Sequence, residues 1–272
     1  MKARALVFNL FGDYLRQRGG EVRLRGLIAL MACFDVPEAT VRVMVARLRK
    51  EGWLESHRDG RETTYRLTDE AWALLDEARE RMFDRTTTPW DGQWHMVIYS
   101  VPETERALRE KLRKLLSWMG FGPLSTSVWV SPWDRLDRLK AHMAGQPSVR
   151  LDTFHVRSEG RLADLDMAAR AWDLATLDRD YARLVGHYRP LLQRYRAGTL
   201  PAQEALVERM RLMNDYRRFP FQDPDLPAEL LPSDWSGGPA HSVFREAREL
   251  LREPADACVG QLLASLRHVR VG

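Results

Sequence analysis

Between Glu38 and Leu54 the chain reads EATVRVMVARLRKEGWL, with Arg42, Arg47, Arg49 and Lys50 set among apolar residues at helical spacing. At 100° per residue, Val41, Met44, Val45 and Leu48 share one face. The opposite face carries Ala39, Val43, Ala46 and Lys50, flanked by Thr40, Arg42 and Arg47. Small residues in the middle of an exposed face let a helix approach base edges, and flanking cations reach phosphates or guanine edges. Thr40, Arg42, Val43, Arg47 and Lys50 are therefore candidate DNA contacts. Arg49, nearer the buried edge, is expected in a local ion pair. Arg58 and Arg61 flank Asp59-Gly60, where hairpin-tip cations can meet the backbone of an adjacent groove; a solvated turn is the other reading. Arg23 and Arg25 open the preceding helix, whose first amides can bind a phosphate.

Catalytic chemistry finds less support. WDGQWHMVIYSVPE sets His95 and Asp91 beside two tryptophans, but no second His or Cys lies at metal-ligand spacing and no nucleophile elbow appears. GFGP lacks the Lys-Ser or Lys-Thr of a phosphate loop. No catalytic residue, metal site or bound cofactor is expected, and the chain does not read as an enzyme. Trp90, Trp94, Trp118, Trp129 and Trp133 crowd the middle of the chain. They read as core, or as the wall of a pocket for a small apolar molecule. In the second case Trp94, Trp118, Trp129 and Trp133 hold an effector, and Arg106 and Arg109, with Lys111, Arg113 and Lys114, receive its phosphates. A solvated basic face explains those cations equally well.

These side chains need elements to position them. Residues 3 to 17 carry Leu6, Leu10 and Tyr14 at helical spacing and stop at Gly19-Gly20; LRGLIALMACF forms a second helix; the third follows Pro37 and ends at Gly52. WLESHR and RETTYRLT read as two strands joined at Asp59-Gly60. Three helices followed by a hairpin make a winged helix-turn-helix. Thr68-Asp69 caps a further helix to Phe83, and Thr86 to Pro89 is a polar break. HMVIYS, a helix over 103–118, a turn at Gly120 to Pro123, STSVWVS, a helix over 133–143 and VRLDTFHV give a small ferredoxin-like domain. From Leu162 the chain is helical, with Leu174, Leu177, Tyr181, Leu184, Val185, Tyr188, Leu191, Leu192 and Tyr195 on one face. The expected class is multidomain α+β, with a winged helix-turn-helix over 1–85, a ferredoxin-like domain over 86–160 and a helical domain for dimerisation and effector response over 161–272.

Composition agrees. The chain has 272 residues, 44% hydrophobic and 29% charged, as in a globular protein. The net charge is +4, yet residues 1–66 hold 13 Lys and Arg against 8 Asp and Glu, so the excess belongs to the first module. Cys33 and Cys258 read as free buried thiols, which fits a reducing compartment. No apolar run approaches a signal peptide or a membrane helix, and a cytoplasmic location is expected.

FGDYLRQRGG, EATVRVMVARLRKEGWL, RDGRETTYRLT, WDGQWHMVIYSVPE, WMGFGPLSTSVWVSP and LLPSDWSGGPAHSVF together resemble the PaaX-type transcriptional repressors, in family order along nearly the whole chain. The resemblance implies the same three modules and a homodimer. It further implies a repressor of phenylacetate-degradation genes that releases double-stranded DNA when phenylacetyl-coenzyme A binds. The middle domain resembles the small ferredoxin-fold nuclease of CRISPR systems, but the place of that nuclease's acidic residue, at the end of the first strand, falls at about Ser100. Where many members carry Trp and a Gly-Ser pair, this chain has Arg23-Leu24-Arg25-Gly26-Leu27, which implies a different DNA register. A nucleic-acid-processing enzyme built on the middle domain and a winged-helix protein-interaction module are the competing readings.

Overall fold

A computed structural model describes residues 1–59, 62–83 and 89–268. In chain order the elements are α1 (Ala3–Leu10), β1 (Glu21–Arg23), α2 (Leu24–Ala32), α3 (Glu38–Lys50), β2 (Leu54–Asp59), β3 (Glu62–Leu67) and α4 (Asp69–Phe83). Then come β4 (Trp94–Ser100), α5 (Arg106–Trp118), β5 (Gly122–Pro123), β6 (Val128–Ser131), α6 (Leu136–Met143), β7 (Arg150–Val156) and α7 (Arg161–Ala171). The chain ends with α8 (Leu174–Arg196), α9 (Ala202–Tyr216), α10 (Phe219–Gln222), α11 (Gly237–Leu250) and α12 (Arg252–His268). Two compact units result. The first gathers Met1–Phe83, Arg183–Arg218 and the segment from Gly238 onward; the second gathers Asp84–Ala182 and Phe219–Gly237. The helical segment beyond 161 thus contributes to both. Among the described residues no helix is long and apolar enough to cross a membrane.

In the first unit the long opening helix read from sequence is shorter. After Leu10 the backbone widens into a π turn over Phe11–Leu15 and tightens into a 3-10 turn over Arg16–Arg18 before Gly19. Strand β1, too short to leave a periodic signal, adds to the hairpin and gives the antiparallel order β1-β3-β2. The hairpin pairs Leu54 with Leu67 and Asp59 with Glu62, so Asp59 belongs to the strand rather than to the turn. Gly60 and Arg61 lie outside the described residues, as do Thr86, Thr87 and Thr88 of the expected break. Helix α3 ends as expected: Gly52 takes a φ of 78°, and the Trp53 amide donates to Leu48 O at 2.9 Å. Thr68 Oγ1 accepts the Ala71 amide at 3.3 Å and so caps α4.

The core of this unit draws on both ends of the chain. Leu27, Leu30, Met31, Val41, Val45 and Leu48 pack in one cluster with Leu206 and Met210 of α9 and Ala255, Cys258 and Val259 of α12. Cys33 and Cys258 are both free. Burial, with Cys258 beside it, pushes the Cys33 thiol up to about 11.

The second unit is built on an antiparallel sheet of order β5-β6-β4-β7. Its edge strand β5 occupies part of the stretch read from sequence as a turn. One face carries Val97, Tyr99 and Trp129 against Leu112 and Leu116 of α5 and Leu139 and Met143 of α6. The other carries Trp94 and Val130 against Ala168 and Ala171 of α7, with Leu226 and Leu230.

Candidate nucleic-acid interface

Helix α3 divides as its periodicity requires. Val41, Met44, Val45 and Leu48 are buried, at 0%, 8%, 2% and 1% exposure. Ala39, Thr40, Arg42, Val43, Ala46, Arg47, Arg49 and Lys50 are all exposed. Val43 stands out at 71% exposure: a large apolar side chain faces solvent in the middle of a cationic surface. The buried stripe fixes the helix to the core, and the opposite face presents methyl-sized contacts ringed by positive charge. That face has the chemistry to meet base edges and phosphates in a major groove.

The cations are organised by carboxylates that the sequence reading did not single out. Arg42 pairs with Glu38 at 2.7 Å and Arg47 with Glu51 at 2.7 Å, both one helical turn apart. Glu51 also accepts from Arg4. Its carboxyl is held below the usual range, chiefly by the Arg47 hydrogen bond. The i,i+4 spacing is the signal that identifies these partners. The expected ion pair at Arg49 is absent: among the described residues neither Arg49 nor Lys50 makes one. Such pairs between exposed side chains are weak and exchange readily for phosphate.

Arg58 is exposed on β2 near the hairpin tip. The expected contact at Arg61 lies outside the described residues. Arg23 and Arg25 are half-buried and share one carboxylate: Arg23 Nη1 and Arg25 Nε each lie 2.9 Å from Glu62 on β3. They tie the start of α2 to the hairpin. No sequence spacing points to Glu62, because the contacts run from the end of β1 and the start of α2 to β3.

A cavity of about 740 Å³ opens beside this region within the first unit. Its wall carries Arg18, Arg23, Arg25 and His57, with Val22 of β1 and Leu263 of α12.

The side chains read as effector contacts do not converge. Trp94 is fully buried against Trp90 and Trp172 on one face of the second sheet, with its indole N–H donated to Asp164 at 2.6 Å. Trp129 is buried on the other face. Trp118 lies beneath the Arg138 guanidinium, and Trp133 donates to Asp225 O at 2.6 Å. Arg109 donates to the carbonyls of Val101 and Pro102 at 3.3 Å, while Arg106 is exposed at the start of α5. Four of these indoles therefore serve as packing or as anchors of neighbouring loops. Strand β4 ends at Ser100.

Comparison with known proteins places the chain. The PaaX-like protein model matches residues 2–71, the PaaX protein central Cas2-like domain matches residues 87–168, and the PaaX-like protein C-terminal domain matches residues 172–261. The transcriptional repressor PaaX of Escherichia coli is 31% identical over 275 residues, covering 96% of this chain and 86% of that protein. An uncharacterized protein from Mycobacterium tuberculosis superposes with a TM-score of 0.64 at 28% identity, over 94% of this chain and 99% of that one. With three successive models along its length and a relative this similar from end to end, the chain belongs to the PaaX family.

Proposed function

We propose that the chain is a ligand-responsive, DNA-binding transcriptional repressor of a phenylacetate catabolic operon. An acyl-coenzyme A such as phenylacetyl-coenzyme A releases it from its operator. The observation that carries the DNA-binding part is the exposed face of α3, where Thr40, Arg42, Val43, Ala46, Arg47 and Lys50 all face solvent while the opposite stripe is buried. The first unit then acts as a winged helix-turn-helix, with α2 and α3 as the reading pair and β2–β3 as the wing. The strand order of the second sheet supports a ferredoxin-like middle domain. The operon and the effector rest on family membership. We place the protein in the cytoplasm, as a homodimer.

For the effector we assign the cavity beside β1, α2 and α12 rather than the tryptophans. Arg18, Arg23 and Arg25 could exchange Asp256 and Glu62 for phosphates, Val22 and Leu263 suit an acyl chain, and the wall includes Glu21 and α2, which packs directly on α3. Trp94 and Trp129 are closed off on opposite faces of a sheet. The test is to pass genomic DNA fragments over the purified full chain and sequence what is retained. A recurrent short element upstream of aromatic-acid genes is expected. Retention that tracks fragment length alone, without an enriched element, overturns the repressor reading.

A further inference from the structure

We propose that His95, Asp134 and His155, in the second unit, bind one divalent transition-metal ion of the zinc class. His95 on β4 pairs directly in register with His155 on β7, and their rings meet edge to face with centroids 4.9 Å apart. On the other side of β4, His95 pairs with Ser131 at the end of β6. There the chain turns sharply. Ser131 Oγ donates to Trp133 O at 2.9 Å and accepts the Trp133 amide at 3.1 Å. The turn brings Asp134 to the two imidazoles, with Oδ1 3.8 Å from His95 Nδ1, and the Leu136 amide steadies that oxygen at 3.1 Å. One ligand atom from each of the three residues lies within 4.8 Å of the other two.

The second observation is an orphan. His95 is 6% exposed, and its Nδ1 is buried without a hydrogen-bond partner. A buried polar atom left unmade costs about 1–3 kcal/mol, so such atoms persist where something else satisfies them. Ligands around tetrahedral zinc sit about 3.4 Å from one another, given bond lengths of about 2.0–2.2 Å. Closing from the present spacing requires about 1 Å of movement. Asp134 and His155 are exposed and can supply it by rotating toward the fixed His95. Two imidazoles and one carboxylate select zinc, cobalt, nickel or copper over magnesium and calcium, which demand oxygen-rich sites. The fourth position is left to water. An ion here clips β4, β7 and the β6–α6 turn together, so it stabilises the second unit by mass action.

The experiment uses the metal-stripped full chain, titrated with zinc by calorimetry and with cobalt by visible absorption. One ion per chain is expected, with cobalt d–d bands and a raised melting temperature. Asp134→Ala and His155→Ala remove exposed side chains and should each weaken binding at least tenfold, and the double variant should melt at the same temperature with and without zinc. Magnesium should not compete. Absence of saturable zinc or cobalt binding overturns the proposal, as does undiminished affinity in the double variant or preferential binding of magnesium.

Discussion

Arg42 and Arg47 face the solvent as candidate readers of DNA, but each is held by a carboxylate one turn away on the same helix. Binding to phosphate must break these pairs, so Glu38→Gln and Glu51→Gln should tighten DNA binding a few-fold at low salt, measured by fluorescence anisotropy. Equal or weaker binding would place the two arginines away from the phosphates. Val43 lies at the centre of the face with its side chain in solvent. Val43→Glu should abolish DNA binding and leave the melting temperature unchanged. Leu48, on the buried side, should behave oppositely: Leu48→Ala is expected to cost about 2–5 kcal/mol of stability by denaturant melting. The division of α3 was legible because a 3.6-residue period maps directly onto buried and exposed faces. The Glu62 clamp on Arg23 and Arg25 was not, nor was the meeting of His95 with His155. Both depend on strand pairing, β1 with β3 and β4 with β7, where register and not local spacing decides which side chains touch.

Among the elements, α9 and α12 alter the picture of a self-sufficient reading head. Leu206, Met210, Ala255, Cys258 and Val259 are buried in the same cluster as the helices that carry α3. Leu206→Ala should therefore destabilise the first unit by about 2–5 kcal/mol, although it lies far along the chain from α3. A fragment of residues 1–83 should melt well below the full chain; equal melting would show that the terminal helices are accessories. Arg209 deepens this coupling. It is 3% exposed, and its guanidinium lies 5.0 Å from the centre of the Tyr14 ring. Burial pushes the Tyr14 phenol up to about 12 despite that cation. In the second unit a Cβ at Gly122 would stand 2.5 Å from Trp172 Cε2 and 2.8 Å from Ala171 O, a backbone atom that cannot step aside cheaply. Gly122→Ala should lower the melting temperature of that unit. Helix boundaries were legible from Pro37, Gly52 and Thr68 because caps and left-handed turns are local chemistry. Strands β1 and β5 were not: at three residues and two, they show no alternation to read.

Across the whole molecule, the apolar stripe from Leu174 to Tyr195, in the segment expected to dimerise, is largely occupied within the chain. Tyr181, Tyr188 and Tyr195 are 0%, 2% and 3% exposed, and their hydroxyls donate to Asp223, Asp215 and Glu208. A dimer must use another surface. It remains our expectation because one reading helix contacts too few base pairs for a unique site, while two set about 34–36 Å apart double it. Sedimentation as a monomer at micromolar concentration would contradict this. An effector in the cavity beside α2 must obey reciprocity: operator DNA should lower the affinity for phenylacetyl-coenzyme A by the factor by which the ligand lowers DNA affinity. Arg18→Ala should weaken ligand binding while leaving ligand-free DNA affinity intact. The proposal that α3 reads DNA is tested by titrating the recovered operator fragment with the parent chain and with the Arg42→Ala/Arg47→Ala variant at two salt concentrations. The variant should melt like the parent, lose about 1–3 kcal/mol of binding free energy for each arginine and show a shallower salt dependence. A folded double variant that binds the operator with the parent's affinity and salt slope would contradict it.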